Sequence, residues 1–283
     1  PIAAIGIMVS QSTWTRRYEL QAQHKQAQMV AEAGIDWSRA VLSDDAKTGS
    51  VDHLGEPWAI RLPSMPVENG KLEGFLEDEQ GKFNLNNLVK DGMVDPAEVK
   101  KFRRLLFVLG LPLALSDKVV DWIDADGELQ PAGAEDGYYL ARQPPYLAAN
   151  RALTDIGELG QVDGFNQSVR ARLAPFVTAL PGATLVNVNT ASPEVLAAIV
   201  DGLGLDGART LAAARKTAYF RDPADFVARL PGSVSGENEN VVVNSTYFLT
   251  TINAEIGEAS AKGIALLARQ GTGWPRILWR KTL

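Results

Sequence analysis

Two short segments share a pattern that narrows what the middle of this chain can fold into. Phe83–Asn87 reads FNLNN, an apolar residue alternating with asparagine, and Val186–Thr190 reads VNVNT. The same interval separates Asn84 from Asn187 and Asn86 from Asn189, so the two copies are in register. Each copy leads into a helix with a strong start signal, Asp95-Pro96-Ala97-Glu98 in the first and Ser192-Pro193-Glu194 in the second. In the first of these an N-cap carboxylate, a first-turn proline and an acid at the third position act together. Leu109-Gly110-Leu111 or Leu203-Gly204-Leu205 follows, then a second helix. The copies end near LTDIGELGQVDGF (153–165) and RDPADFVARLPG (221–232), the latter holding a further Asp222-Pro223-Ala224-Asp225 cap. The middle of the chain therefore reads as a duplicated helical hairpin unit. Asparagines ahead of each helix are suited to bonding nearby backbone and fixing a turn. Val99, Phe102, Leu106 and Leu109 are the expected buried stripe of one helix, and Val195, Ile199 and Leu203 that of another.

The flanks read differently. From Thr13 to about Asp44 there is no proline and one glycine, and Leu20, Ala27, Val30, Gly34, Trp37 and Val41 recur at helical spacing. That is a long amphipathic helix whose stripe packs on a sheet or a partner, with Lys25, Gln28, Glu32, Asp36 and Arg39 on the wet face. WAIRL (58–62) and KLEGFLED (71–78) read as two strands of a hairpin turned at Asn69-Gly70. After the polar link GSVSGENEN (232–240), Phe248, Ile252, Ala254 and Ile256 alternate with more polar neighbours. AKGIALLARQ and PRILWRKTL then complete an antiparallel meander. Neither hairpin nor meander makes a convincing sheet alone, so the fold class is α+β. A discontinuous frame of residues 1–82 and 241–283 carries an inserted all-helical domain of residues 83–240.

Composition removes several chemistries. The chain has no cysteine and only His24 and His53, which leaves no thiolate zinc site and almost no material for a catalytic triad. A net charge of −6 argues against broad attraction to a polyanion. The first nine residues are nearly all apolar but fall short of the ~20 needed to span a bilayer, consistent with either a soluble helix start or the end of a membrane helix.

The longest difference between the copies is an acidic insert, Asp121 to Tyr146. Asp121, Asp124, Asp126, Glu128, Glu135 and Asp136 crowd into it with Gly127, Gly133 and Gly137. Such a set suits an oxygen-ligated hard cation, calcium before magnesium, although the spacing is not that of an EF-hand. An exposed acidic loop is the alternative. A glycosidase acid–base pair finds nothing here to separate the roles of the carboxylates. The stretch from VNVNT onward resembles helix-hairpin-helix units that present backbone N–H groups to phosphate, and a nucleic-acid-binding module is therefore the alternative function. Asp201 and Asp206 stand where phosphate would sit, against Arg209, Arg215 and Lys216 nearby, so nucleic acid is disfavoured.

With GKFNLNNL, DWIDADGE, GAEDGYY, PPYLAANRALTDIGEL and VNVNTASPEVL in this order, the sequence resembles the minor pseudopilin K family of type II secretion over essentially its whole length. The resemblance implies a pilin-like fold: a long N-terminal helix on an antiparallel sheet with a large helical inset. It implies a non-enzymatic subunit at the tip of the pseudopilus, supporting protein export across the outer membrane. Its implied partners are minor pseudopilins I and J, with H as a further candidate, and Val30, Trp37 and Val41 divide between the sheet and those neighbours. The first residues become the remaining end of a single inner-membrane span, with the bulk of the chain in the periplasm. Calcium is implied in the acidic insert, with Asp124, Asp126, Glu128, Glu135 and Asp136 as ligands and Asp121 as a helix-terminal charge.

Overall fold

The computed structural model describes residues 2–232, 234 and 240–283, with side chains from Trp14 onward. The link 232–240 thus lies largely outside the described residues, as do the side chains of the first apolar segment. The chain opens with α1 (Ile2–Thr48), then the hairpin β1 (Leu62–Val67) and β2 (Gly70–Asp78), then β3 (Phe83–Asn84) and the small hairpin β4 (Val89–Lys90) and β5 (Met93–Val94). Helices α2 (Pro96–Val108), α3 (Leu115–Ile123), α4 (Asp136–Leu140) and α5 (Gln167–Leu173) follow. Next come β6 (Val177–Thr178), β7 (Val186–Asn187), α6 (Pro193–Ile199), α7 (Gly204–Ala214), α8 (Pro223–Ala228) and β8 (Val241–Val242). The long strands β9 (Tyr247–Ile256), β10 (Ala259–Ala268) and β11 (Arg276–Thr282) close the chain.

Two compact units result. One comprises residues 1–50, 55–77 and 246–283; the other, residues 51–54 and 78–245. The first carries α1 and a five-stranded sheet in the order β1-β2-β9-β10-β11, its β1–β2, β9–β10 and β10–β11 pairs antiparallel. One expected strand moves. Trp58 and Ala59 lie in a short 3-10 turn, Pro57–Ala59, and β1 is instead LPSMPV, with two prolines. Prolines cannot donate to a ladder, and β1 tolerates them because it is the edge strand.

The helix–sheet seam also differs from the expected stripe. Ala27, Ala31, Ile35 and Leu42 are buried against Leu72, Phe248, Ile252, Ala265 and Leu267, with Val30 and Val41 only partly buried at the margin. Leu20 and Trp37 are exposed, Trp37 to 46%. The seam is built of small residues because helix and sheet approach closely. A Cβ on Gly34 would lie 2.7 Å from Ile252 Cγ2, and Ser38 Oγ shares a 2.8 Å hydrogen bond with Thr250 Oγ1. Overpacking such a contact typically costs about 1–3 kcal/mol. Gly34→Val is therefore expected to lower the urea midpoint by an equivalent amount, while Ala33→Val, on the exposed face, stays within about 0.5 kcal/mol of wild type.

The second unit is mainly helical rather than all-helical. Phe83, Phe102, Leu105, Leu106, Val119 and Trp122 share one core with Val195, Leu196, Ile199, Leu211, Phe220 and Phe226. Both parallel strand pairs within it repeat a single device: β3 pairs with β6 and β7 with β8, so each asparagine motif is tied to chain just beyond the end of its copy. The unit begins at Asp78 rather than Phe83 because Asp78 is one of its buried parts. Its Oδ2 accepts from Thr190 Oγ1 (2.6 Å), Ser245 Oγ (2.6 Å) and Asn187 Nδ2 (3.1 Å).

The asparagines explain the repeat. Asn84 Oδ1 accepts from Asn86 N, and Asn187 Oδ1 accepts from Asn189 N. The second asparagine of each pair clasps an incoming backbone in both directions: Asn86 holds N–H and C=O of Leu153, and Asn189 holds N–H and C=O of Phe220. In each copy the clasped residue stands two positions before a capping aspartate, Asp155 or Asp222. The acid at the third position of that cap, Glu158 or Asp225, reaches back to the N–H just ahead of it, Thr154 or Arg221.

Candidate functional site

The acidic insert runs from the end of α3 to the start of α4. Asp124 ends α3 in an extended conformation and is 1% exposed, yet neither of its carboxylate oxygens meets a hydrogen-bond donor. Glu135 ends the loop as the N-cap of α4, and its Oε1 is likewise buried without a partner. An oxygen of each of these residues and one of Asp126 lie within 4.8 Å of one another. Burial pushes the Asp124 carboxyl up to about 7, with the charges of Asp126, Asp121 and Glu135 adding to it; burial, then Asp121, raises Glu135. Buried carboxylate oxygens without donors are costly, and a hard cation satisfies several at once. The donor set fits calcium.

The five expected ligands do not all converge. Asp124, Asp126 and Glu135 are brought together. Glu128 is exposed and its backbone N–H donates to Asp126 Oδ1 (2.8 Å), so it shapes the loop. Asp136 Oδ1 accepts from Ala148 N (2.9 Å), which fastens the far end of the insert. Asp121 is a loop-former more than a terminal charge. It accepts from Gln130 N, and a Cβ on Gly133 would fall 1.8 Å from its Oδ2, which is why only glycine fits there. Behind the cluster, Trp122 meets Tyr139 edge-on at 5.0 Å. Asp163 accepts from Tyr138 Oη (2.6 Å), Arg142 and Lys118. These contacts seat α4, and nothing in the spacing of Asp163 from the insert announces its part.

On α1, Val30 and Val41 pack partly against the sheet core while Trp37 stays exposed. Trp14 and Tyr18 are exposed to 72% and 75%, and Met29 is exposed as well. Their spacing places them near Trp37 on the side away from the seam. Trp14 and Tyr18, one turn apart, are the local signal of these exposed aromatics, which share that side of the helix with Lys25, Glu32 and Asp36.

The α6–α7 hairpin is committed internally. Asp201 pairs with Lys100 (2.6 Å) and Arg104 (2.8 Å), Arg209 pairs with Asp206, and Arg215 donates to Val188 O. Two of the three cations near a phosphate site are thus occupied. His24 lies beside Gln28, and His53 stacks on Tyr219.

Models of type II secretion system protein K match residues 81–182 and 186–244, which together span the inset and both asparagine motifs. The type II secretion system protein K of Pseudomonas aeruginosa is 36% identical over 99% of this chain and 87% of its own length. The chain belongs to the type II secretion system protein K family. The protein K of Aeromonas hydrophila is also 36% identical, over 83% of this chain and 77% of its own. A chain of the crystal structure of the GspK-GspI-GspJ complex from enterotoxigenic Escherichia coli superposes with a TM-score of 0.83. It is 26% identical, covering 94% of this chain and 99% of that one. The frame and inset expected from sequence are therefore those of this family, as a component of protein secretion. Among the described residues, no helix is long and apolar enough to cross a membrane.

Proposed function

We propose that this chain is a non-enzymatic minor pseudopilin at the tip of the type II secretion pseudopilus, joined to minor pseudopilins I and J. The similarity to a chain of the GspK-GspI-GspJ complex over 94% of this sequence, helix and inset together, is the observation that carries this reading. The exposed aromatics of α1, Trp14, Tyr18 and Trp37, supply contacts for neighbouring helices. An inset larger than the frame that bears it supplies a steric reason to terminate a filament. In this reading α1 starts in the inner membrane and the remainder works in the periplasm. Calcium, held by Asp124, Asp126 and Glu135, sets the shape of the insert and performs no chemistry.

The test is assembly. Purified at micromolar concentration with minor pseudopilins I and J, the chain is expected to elute as one ternary species in size exclusion with light scattering. Separate elution of the three at that concentration overturns the proposal.

A further inference from the structure

The five-stranded sheet ends in two edges of different character. β1 carries Pro63 and Pro66 and an irregular register between Leu62 and Met65, each of which discourages a further strand. β11, RILWRKT, has neither proline nor glycine, and among the described residues it pairs only with β10. Its own irregularity, at Leu278, leaves residues 279–282 in regular register with residues 263–266. Arg276, Arg280, Lys281 and Thr282 are exposed.

The direction of the open backbone groups follows from the ladder. Leu283 and Lys262 exchange both N–H to O bonds, each at 2.9 Å, and so form a hydrogen-bonded pair. Such pairs alternate along an antiparallel ladder. The pairs of Lys281 with Ile264 and of Trp279 with Leu266 are therefore hydrogen-bonded too, while the N–H and C=O of Arg280 and Thr282 point away from β10. Groups arranged in this way are satisfied by water or by one more strand.

Charge selects the strand. β11 has three cations and no acid, in a chain whose net charge is −6. Arg280, opposite Ala265, stands on the α1 side of the sheet; Lys281, opposite Ile264, stands on the outer side, 5.2 Å from the centre of the Trp279 ring. Arg280 reaches the exposed Glu32 at 4.0 Å, a contact worth little in solvent. A second copy laid along this edge sets cations against cations, which cross-strand pairing disfavours. A strand bearing carboxylates meets opposite charge on both faces.

We propose that the open edge of β11 is a strand-addition site for an acidic extended segment of another protein. The added backbone bonds the outward groups of Arg280 and Thr282, and its carboxylates meet Arg276, Arg280 and Lys281. Trp279, partly buried opposite Leu266, offers an apolar seat to an alternate side chain of the added strand. The site does not depend on the assembly proposed above.

Two fluorescein-labelled peptides the length of β11 test this on the full chain. Both alternate threonine with a charged residue, glutamate in one and lysine in the other. The glutamate peptide is expected to bind with a Kd below about 1 mM, at least about tenfold tighter than the lysine peptide. It should also slow amide exchange at Arg280 and Thr282. Thr282→Pro removes an outward N–H without touching the β10 ladder, so affinity should fall about tenfold while the thermal midpoint stays within about 2 °C. Arg280→Glu with Lys281→Glu should reverse the preference between the peptides. Equal affinity for the two, no binding of either at about 1 mM, or binding that Thr282→Pro leaves intact overturns the proposal. The edge is also checked without a peptide. Arg276→Thr, Arg280→Thr and Lys281→Thr together remove the like-charge barrier, so light scattering should show concentration-dependent dimers, dispersed again by Thr282→Pro. A neutral variant that stays monomeric at about 100 μM overturns the site as well.

Discussion

Asn86→Ala is expected to destabilise the inset by about 3–5 kcal/mol, more than removing most large side chains from its surface. The amide of Asn86 donates to Leu153 O (3.0 Å) and Leu180 O (2.9 Å) and accepts from Leu153 N (2.8 Å), all in a buried setting. Truncation leaves three backbone groups without partners, and each unsatisfied buried group costs about 1–3 kcal/mol, softened where water enters the space left behind. Asn189→Ala should cost about 2–4 kcal/mol on the same argument, because it serves the two backbone groups of Phe220. Asn86→Asp should be no milder, since the donor facing two carbonyls becomes a carboxylate. Asn166, whose side chain caps α5 at the surface, provides the scale: Asn166→Ala should cost about 1 kcal/mol. Urea unfolding followed by far-UV circular dichroism, with amide exchange at Leu153 and Phe220, reads these effects. The clasp is refuted if Asn86→Ala costs no more than Asn166→Ala.

These asparagines mark the limit of what the sequence conveys. Their duplication, the caps at Asp95, Ser192 and Asp222, and the alternation in β9 are local patterns, and all recur in the structure. The partners they clasp are not local. Leu153 and Phe220 lie far along the chain, and two-residue strands such as β3 and β6 carry too little periodicity to announce a parallel pair. The seam of α1 is only partly legible for a related reason. Spacing alone does not divide the stripe between sheet and partner: the approach of Ile252 to Gly34 closes that point to any larger side chain, Ile35 and Leu42 fill the seam on either side of it, and Trp37 falls outside. In the acidic insert, composition suits a hard cation but does not show which carboxylates converge and which shape the loop. That division depends on where the turns at Asp126 and Gly133 place each carboxylate, a property of the folded loop.

Calcium is expected to raise the thermal midpoint of the wild type and to leave that of Asp124→Asn unchanged. A cation bound only by the folded state at a hundredfold excess over its Kd adds about 2.7 kcal/mol, roughly 5–10 °C for a domain of this size. Asp124→Asn should also reverse the ranking in chelator. There the wild type buries a carboxylate whose oxygens lack donors, so the amide variant is the more stable of the two without calcium and the less stable with it. The sign of the pH dependence follows from the same group. Its folded value, about 7, stands above that of an unfolded aspartate, so the metal-free fold binds the extra proton between about pH 4 and pH 7 and loses stability as pH rises through that window. Calcium competes with that proton, so its stabilising effect should be full above pH 7 and shrink toward pH 5.5. Glu128→Ala, which removes an exposed carboxylate outside the cluster, should keep the calcium shift, whereas Glu135→Gln should reduce it. Equal midpoints for wild type in calcium and in chelator, measured at pH 7.5, would rule the site out. A shift lost with Glu128→Ala would restore the five-ligand set in place of the three that the fold gathers.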